Sequence, residues 1–184
     1  MLVCRIAIVT ALAALVIGIA ATGCSIGDDV EADVAAARDF RAFPLYWVGE
    51  RFEGLNVSYV GLGGPAAGFT YGTCEITGDH GCAPPLQIQI VPLCFHLDAA
   101  VANGAWTRRQ IRGAPVGVFD AAPVMFTQQT QVKVYRGEGS DPGMALRALH
   151  ALRSLNDVPP RIGPVGSISP PAPGVLEGTV PCSD

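Results

Sequence analysis

The chain has 184 residues, with 12 Lys and Arg against 16 Asp and Glu, a formal net charge of −4 and only 15% charged residues. Ordinary soluble domains carry about 25%, so this is neither a charge-rich disordered polymer nor a basic nucleic-acid binder. It is long enough for one domain with a real core and too short for two large ones, and its 22 Gly and 15 Pro predict many turns.

The mean hydropathy of +0.36 has a local source. Every residue from Ile6 to Ala21 is apolar or small, and Arg5 is the only charge before them. A basic residue, an apolar run and small residues after it describe a secretory signal peptide over residues 1–23. Ala21-Thr22-Gly23-Cys24 closes the segment and a polar start, Asp28-Asp29, follows. Those four residues resemble a bacterial lipobox. The resemblance implies cleavage before Cys24, lipidation of that cysteine, and a body held at the extracytoplasmic side of the cell membrane. An uncleaved signal anchor is the alternative, because the run is about long enough to cross a ~30 Å hydrocarbon core. Both readings export the body and tie it to a membrane. The lipid reading is favoured, since a spanning helix gains nothing from Gly23-Cys24 at its exit.

Residues 24–157 read as a single α+β domain. A helix is expected from Asp28-Asp29 to about Phe40, with Val30, Val34 and Ala37 at helical spacing and Pro44 as its stop. Strands are expected at 45–48, 56–60, 69–71 and 86–91, the last alternating apolar and polar residues. Asp98 to Ala102 is expected to form a helical turn or two. Strands at 116–119, 124–127 and 131–135 form an antiparallel meander. A second helix is expected from about Gly143 to Leu155, with Asp141 as N-cap and Pro142 at its first position. It gathers Ala145, Ala148, Leu149 and Leu152 on one face and turns Arg147, His150 and Ser154 away. The fold class is thus a mainly antiparallel sheet with an N-terminal and a C-terminal helix packed on it. Residues 158–184 hold seven of the fifteen prolines, which predicts an extended tail.

With Cys4 in the leader and Cys24 acylated, Cys74, Cys82, Cys94 and Cys182 remain. An even number in an exported body points to disulfides rather than a metal, since no C-x-x-C pair is present. Four cysteines allow three connectivities. Cys74–Cys82 closing the Gly78–Gly81 turn, and Cys94–Cys182 tethering the tail, are favoured. The second would close a loop of roughly 90 residues, worth ~4–5 kcal/mol in the chain-entropy view.

Chemistry is sparse. There is no G-x-S-x-G, H-E-x-x-H, P-loop or EF-hand loop. Gly61-Leu62-Gly63-Gly64-Pro65-Ala66 fits a loose dinucleotide fingerprint, but Pro65 and then Phe69-Thr70-Tyr71 stand where a helix is required, so it reads as a turn between strands. Asp79, His80 and His96 could bind a metal or move protons if the chain folds them together; exposed turn positions are the plainer reading. Glu50 and Glu53 lie among aromatics, as in a glycosidase cleft, while Arg51 beside them favours a surface. Arg108, Arg109 and Arg112 form a small basic patch suited to an anionic polymer, or simply a solvated strand edge. His150 is expected to be solvated.

Two stretches, Phe52-Glu53-Gly54-Leu55 and Pro170 to Gly178 with Cys182 beyond, are similar to segments of uncharacterised envelope lipoproteins of GC-rich bacteria. They cover about a fifth of the body and imply no activity. The sequence implies no cofactor, no metal and no nucleic acid. Its expected partners are the membrane, through the lipid, and an envelope protein or small ligand. A non-enzymatic binding or structural role leads; an exported hydrolase or a carrier of a small apolar molecule are the alternatives.

Overall fold

The computed structural model describes residues 30–73, 75–76, 82–97, 106–119 and 121–183. The leader, Cys24, Cys74, the Asp79-His80 turn and the turn expected at 98–102 lie outside them.

Helix α1 (Val30–Asp39) carries Glu31 and Asp33 in its first turn and Arg38 in its last, the charge order that suits a helix dipole. Val34 and Ala37 are its buried residues. Short strands β1 (Tyr46–Trp47) and β2 (Arg51–Phe52) follow. Then come β3 (Leu55–Gly63), β4 (Ala66–Tyr71), β5 (Glu75–Ile76), β6 (Cys82–Ala83) and β7 (Leu86–Pro92). The second half holds β8 (Trp106–Ile111), β9 (Ala114–Phe119), β10 (Ala122–Phe126), β11 (Thr130–Arg136), helix α2 (Met144–Ala151) and β12 (Arg153–Ser154).

Eight strands form one antiparallel sheet in the order β2-β3-β4-β7-β11-β10-β9-β8. The fold is therefore α+β, with a large antiparallel sheet and two helices. Alternation along the strands sends Phe69, Ile88, Ile90, Val132, Val134 and Met125 to one face, where α1 and α2 pack in a shared core. Val124 and Phe126 flank Met125 and so project from the opposite face. They are buried there by Leu93, Leu97, Val175 and Leu176. Strand β10 is thus dry on both sides from Val124 to Phe126, while β11 sends the half-buried Lys133 and Tyr135 to that second face.

The proline-rich tail supplies that second cover without regular secondary structure. Ile168 enters the helix-side core, and its N–H donates to the Arg112 carbonyl at 2.6 Å. The Gln128 N–H donates to the Ser169 carbonyl at 2.8 Å. Cys182 is disulfide-bonded to Cys94, with a Cα separation of 5.5 Å across 88 residues of chain.

The bounds of the second helix and several strands differ from the expected elements. Helix α2 begins at Met144, because Asp141 Oδ1 accepts the Gly143 N–H at 2.6 Å and so caps the turn that precedes the helix. It ends at Ala151 rather than Leu155. Leu152 takes φ −55° and ψ 138°, which buries it and lets Arg153 and Ser154 pair with Trp47 and Tyr46. Strands β2, β5, β6, β8 and β12 lie outside the expected strand spans; for β8, the strand-edge reading of Arg108 and Arg109 holds, since it is an edge strand of the sheet.

That pairing is secured by Asn156, only 2% exposed. Its Oδ1 accepts the Leu45 N–H at 2.9 Å, and its Nδ2 donates to the carbonyls of Phe40 and Phe43, each at 2.9 Å. One amide thus satisfies three peptide groups of a loop that has no ladder of its own. Removing it strands them. Asn156→Ala is expected to cost about 3 kcal/mol, read as a lowered urea midpoint with an unchanged slope; a loss within ordinary surface scatter would refute the role.

Candidate functional site

Among the described residues, those singled out in the sequence do not form one constellation. Glu50 Oε1 accepts from Arg38 Nη2 at 3.3 Å, on the α1 side. Glu53 sits at φ 48° before Gly54 at φ 87°, the paired left-handed turn that joins β2 to β3. Its carboxylate turns the other way, to Arg147 on α2, with Nε to Oε1 at 2.6 Å and Nη2 to Oε2 at 2.8 Å. Asp141 holds the same guanidinium at 3.1 Å. The two carboxylates are therefore spent on separate cations. The Arg147 hydrogen bond lowers the Glu53 pKa, the opposite of what a general acid needs.

His96 lies exposed in the turn after β7, at φ 53°, its ring edge-on to Phe95 at 4.2 Å. His150 is exposed on α2. His80 and Asp79 lie outside the described residues. Among the described residues no group of three His, Cys, Asp or Glu side chains is placed to hold a metal ion.

The basic patch divides. The Arg108 side chain is outside the described residues, and Arg109 is exposed on β8. Arg112 is instead a clamp. It occupies the left-handed region at φ 55° in the β8–β9 turn, with Gly113 at φ 91° after it. Its Nε donates to the Gly166 carbonyl at 2.8 Å and its Nη2 to Gly163 at 2.6 Å. Its Nη1 donates to Leu152 at 2.5 Å and to His150 at 3.4 Å. A guanidinium has five fixed donors, and here they gather the end of α2 and the tail onto the sheet. Arg112 is thus unavailable to an anionic polymer, because its donors are already committed to backbone carbonyls.

Among the described residues, a groove of about 800 Å³ between α2 and the ends of β9, β10 and β11 has room for a ligand. Val116, Val134 and Ala145 form its floor, and Val118, Pro123, Pro142 and Leu146 its walls. Arg109, Arg136 and Glu138 bring the charged side chains to it. Val118 is 56% and Leu146 37% exposed, so two large apolar side chains face open space there. The volume lies within the range of small-molecule sites. No sequence motif marks it, since it is assembled from five elements, β8 to β11 and α2, spread over residues 109–146.

Two buried phenols show how tightly the neighbouring core is closed. Desolvation pushes Tyr46 up to about 12. It also raises Tyr71, whose hydroxyl donates to the Gly49 carbonyl at 3.0 Å and accepts from the Val48 N–H at 3.4 Å.

The Glu53–Arg147–Asp141 cluster ties the β2–β3 turn to α2, whose first turns wall the groove. Hydrogen bonding lowers both carboxyl pKa values, to Arg147 first for Glu53 and to the Gly143 N–H first for Asp141. Both folded values lie below the unfolded values of about 4. Their stabilisation is therefore complete above that pH and is lost as pH falls through the folded values. Arg147→Gln should lower the thermal midpoint at pH 7, with the gap to the parent closing below about pH 4. A gap that does not vary with pH would contradict the linkage. Comparison with known protein families, curated proteins and solved structures finds no match to this chain.

Proposed function

We propose that this is an exported binding protein, held at the extracytoplasmic side of the membrane by a lipid on Cys24, that takes a small apolar molecule in the groove beside α2. The groove itself carries the reading. An opening of about 800 Å³ floored by Val116, Val134 and Ala145 has the size and lining of a ligand site. Its titratable groups are few, Arg109, Tyr135, Arg136 and Glu138, and they lie among apolar floor and wall residues. An apolar ligand gains about 25 cal/mol for each Å² it removes from water there, without any catalytic group acting on it. The Cys24 tether rests on the leader and its lipobox-like end.

Native mass spectrometry of the protein extracted from its own membrane tests both parts together. The expected species begins at Cys24, carries acyl mass, and retains a small co-purifying molecule. An intact N-terminus at Met1 would sink the lipid tether. Val118→Asp, at an exposed wall position, places a carboxylate against the ligand at a cost of about 1–3 kcal/mol, roughly five- to 150-fold in affinity. The adduct should therefore be diminished or lost in this variant. Its absence from the parent protein, or its undiminished survival in Val118→Asp, would sink the groove.

A further inference from the structure

The two edges of the eight-stranded sheet are unlike. On the β8 edge the sequence places Arg108 and Arg109, the charges with which natural edges repel a second strand. The other edge is β3. Its outer neighbour β2 pairs only at Arg51–Asn56 and Phe52–Leu55, so Tyr59 to Gly63 has no strand beside it among the described residues. No charged residue occurs between Glu53 and Glu75. An uncharged strand edge beside a sheet is a template for another strand.

Register decides which groups it offers. The β3–β4 hairpin turns at Gly64-Pro65, with Gly63 opposite Ala66, Gly61 opposite Gly68, Leu62 opposite Ala67 and Val60 opposite Phe69. In a two-residue hairpin the closing pair is hydrogen-bonded and the pairs then alternate. Gly63 and Gly61 therefore bond inward to β4, while the N–H and C=O of Val60 and Leu62 point out from the sheet.

We propose that this edge pairs with the same edge of a second copy, antiparallel about a two-fold axis at Gly61, so that two sheets become one. In that register Val60 and Leu62 of each copy exchange backbone hydrogen bonds with Leu62 and Val60 of the other. Donor meets acceptor throughout, as an isologous contact requires. Gly61 then faces Gly61 in the non-hydrogen-bonded position, where strands approach most closely, at about 4.5 Å between Cα atoms. The side chains fit the same axis. Tyr59 is 57% exposed and leans along its own strand; a Cβ on Gly61 would lie 3.1 Å from its ring. Across the axis that ring covers Gly63 of the second copy, an aromatic over a glycine. On the helix-side face Leu62, 36% exposed, meets Val60, which is 5% exposed and belongs to the main core. Pairing thus extends that core from one copy into the next. This inference is independent of the groove.

The test uses the full chain extracted in detergent. Light scattering with size exclusion is expected to show a concentration-dependent monomer–dimer equilibrium. Hydrogen exchange at the Val60 and Leu62 amides should slow as the dimer fills. Leu62→Lys places like charges across the axis and should weaken association at least about tenfold, or 1.4 kcal/mol. Leu62→Val should preserve it. A parent protein that stays monomeric overturns the proposal, as does a Leu62→Lys protein that dimerises unchanged. Protection of the two amides that ignores concentration overturns it as well, because the edge is then covered from within the chain. The exchange measurement on the parent decides the matter even if Leu62→Lys does not fold.

Discussion

From Val124 to Phe126, strand β10 must be dry on both faces, and much of the molecule follows from that. Met125, Val132 and Val134 face the helices, whereas Val124 and Phe126 face the other way, all five fully buried. Burying a side chain of this kind is worth about 2 kcal/mol, so neither face can be left to water. Two short helices suffice for one face only. The tail therefore has to cover the other, and being rich in proline it cannot do so as a helix or an added strand. It is held by fasteners instead: the Arg112 clamp, Ile168 in the main core, and the Cys94–Cys182 disulfide.

Irregular cover brings a second requirement, since its peptide groups have no ladder partners. Buried amide side chains meet it. Gln131, 2% exposed, donates Nε2 to the carbonyls of Leu93 and Phe95 at 2.7 and 2.9 Å, which fixes the turn leading to Cys94. Asn156 does the same for the loop after α1. Thr127 and Thr130 close the β10–β11 turn through their hydroxyls at 2.9 Å. Each sits in a strand end or loop rather than in an apolar stripe, because the need it answers is the backbone's.

Periodicity made the regular parts legible. The alternation of Leu86 to Val91 and the stripe of Ala145, Ala148, Leu149 and Leu152 were readable, because each pattern reflects one local period facing one core. Strand β8 was legible only as a solvated edge around Arg108 and Arg109, since Trp106-Thr107-Arg108-Arg109-Gln110-Ile111 sets charge where an alternating strand would carry apolar residues. The end of α2 was set by the demand of β1 for a partner, a non-local term no helix signal contains. Arg112 and Arg109 are chemically identical in sequence; only the position of the tail makes one a clamp. The groove was invisible for a related reason. Its floor is plain core residues gathered from separate strands and α2, and a cavity is defined by what does not pack against them.

The pairing of β1 with β12 joins Tyr46 to Ser154, and Asn156 reaches back 111 residues to Leu45. These contacts link nearly opposite ends of the described chain, and loop closure on that scale must be completed before either contact contributes anything. High sequence separation of this kind slows folding. Closing the core therefore waits on the segment just after α2, and a chain still emerging from a ribosome lacks the strand and the amide that close it until Asn156 is out. Such a polypeptide keeps its first strand unpaired through most of its synthesis.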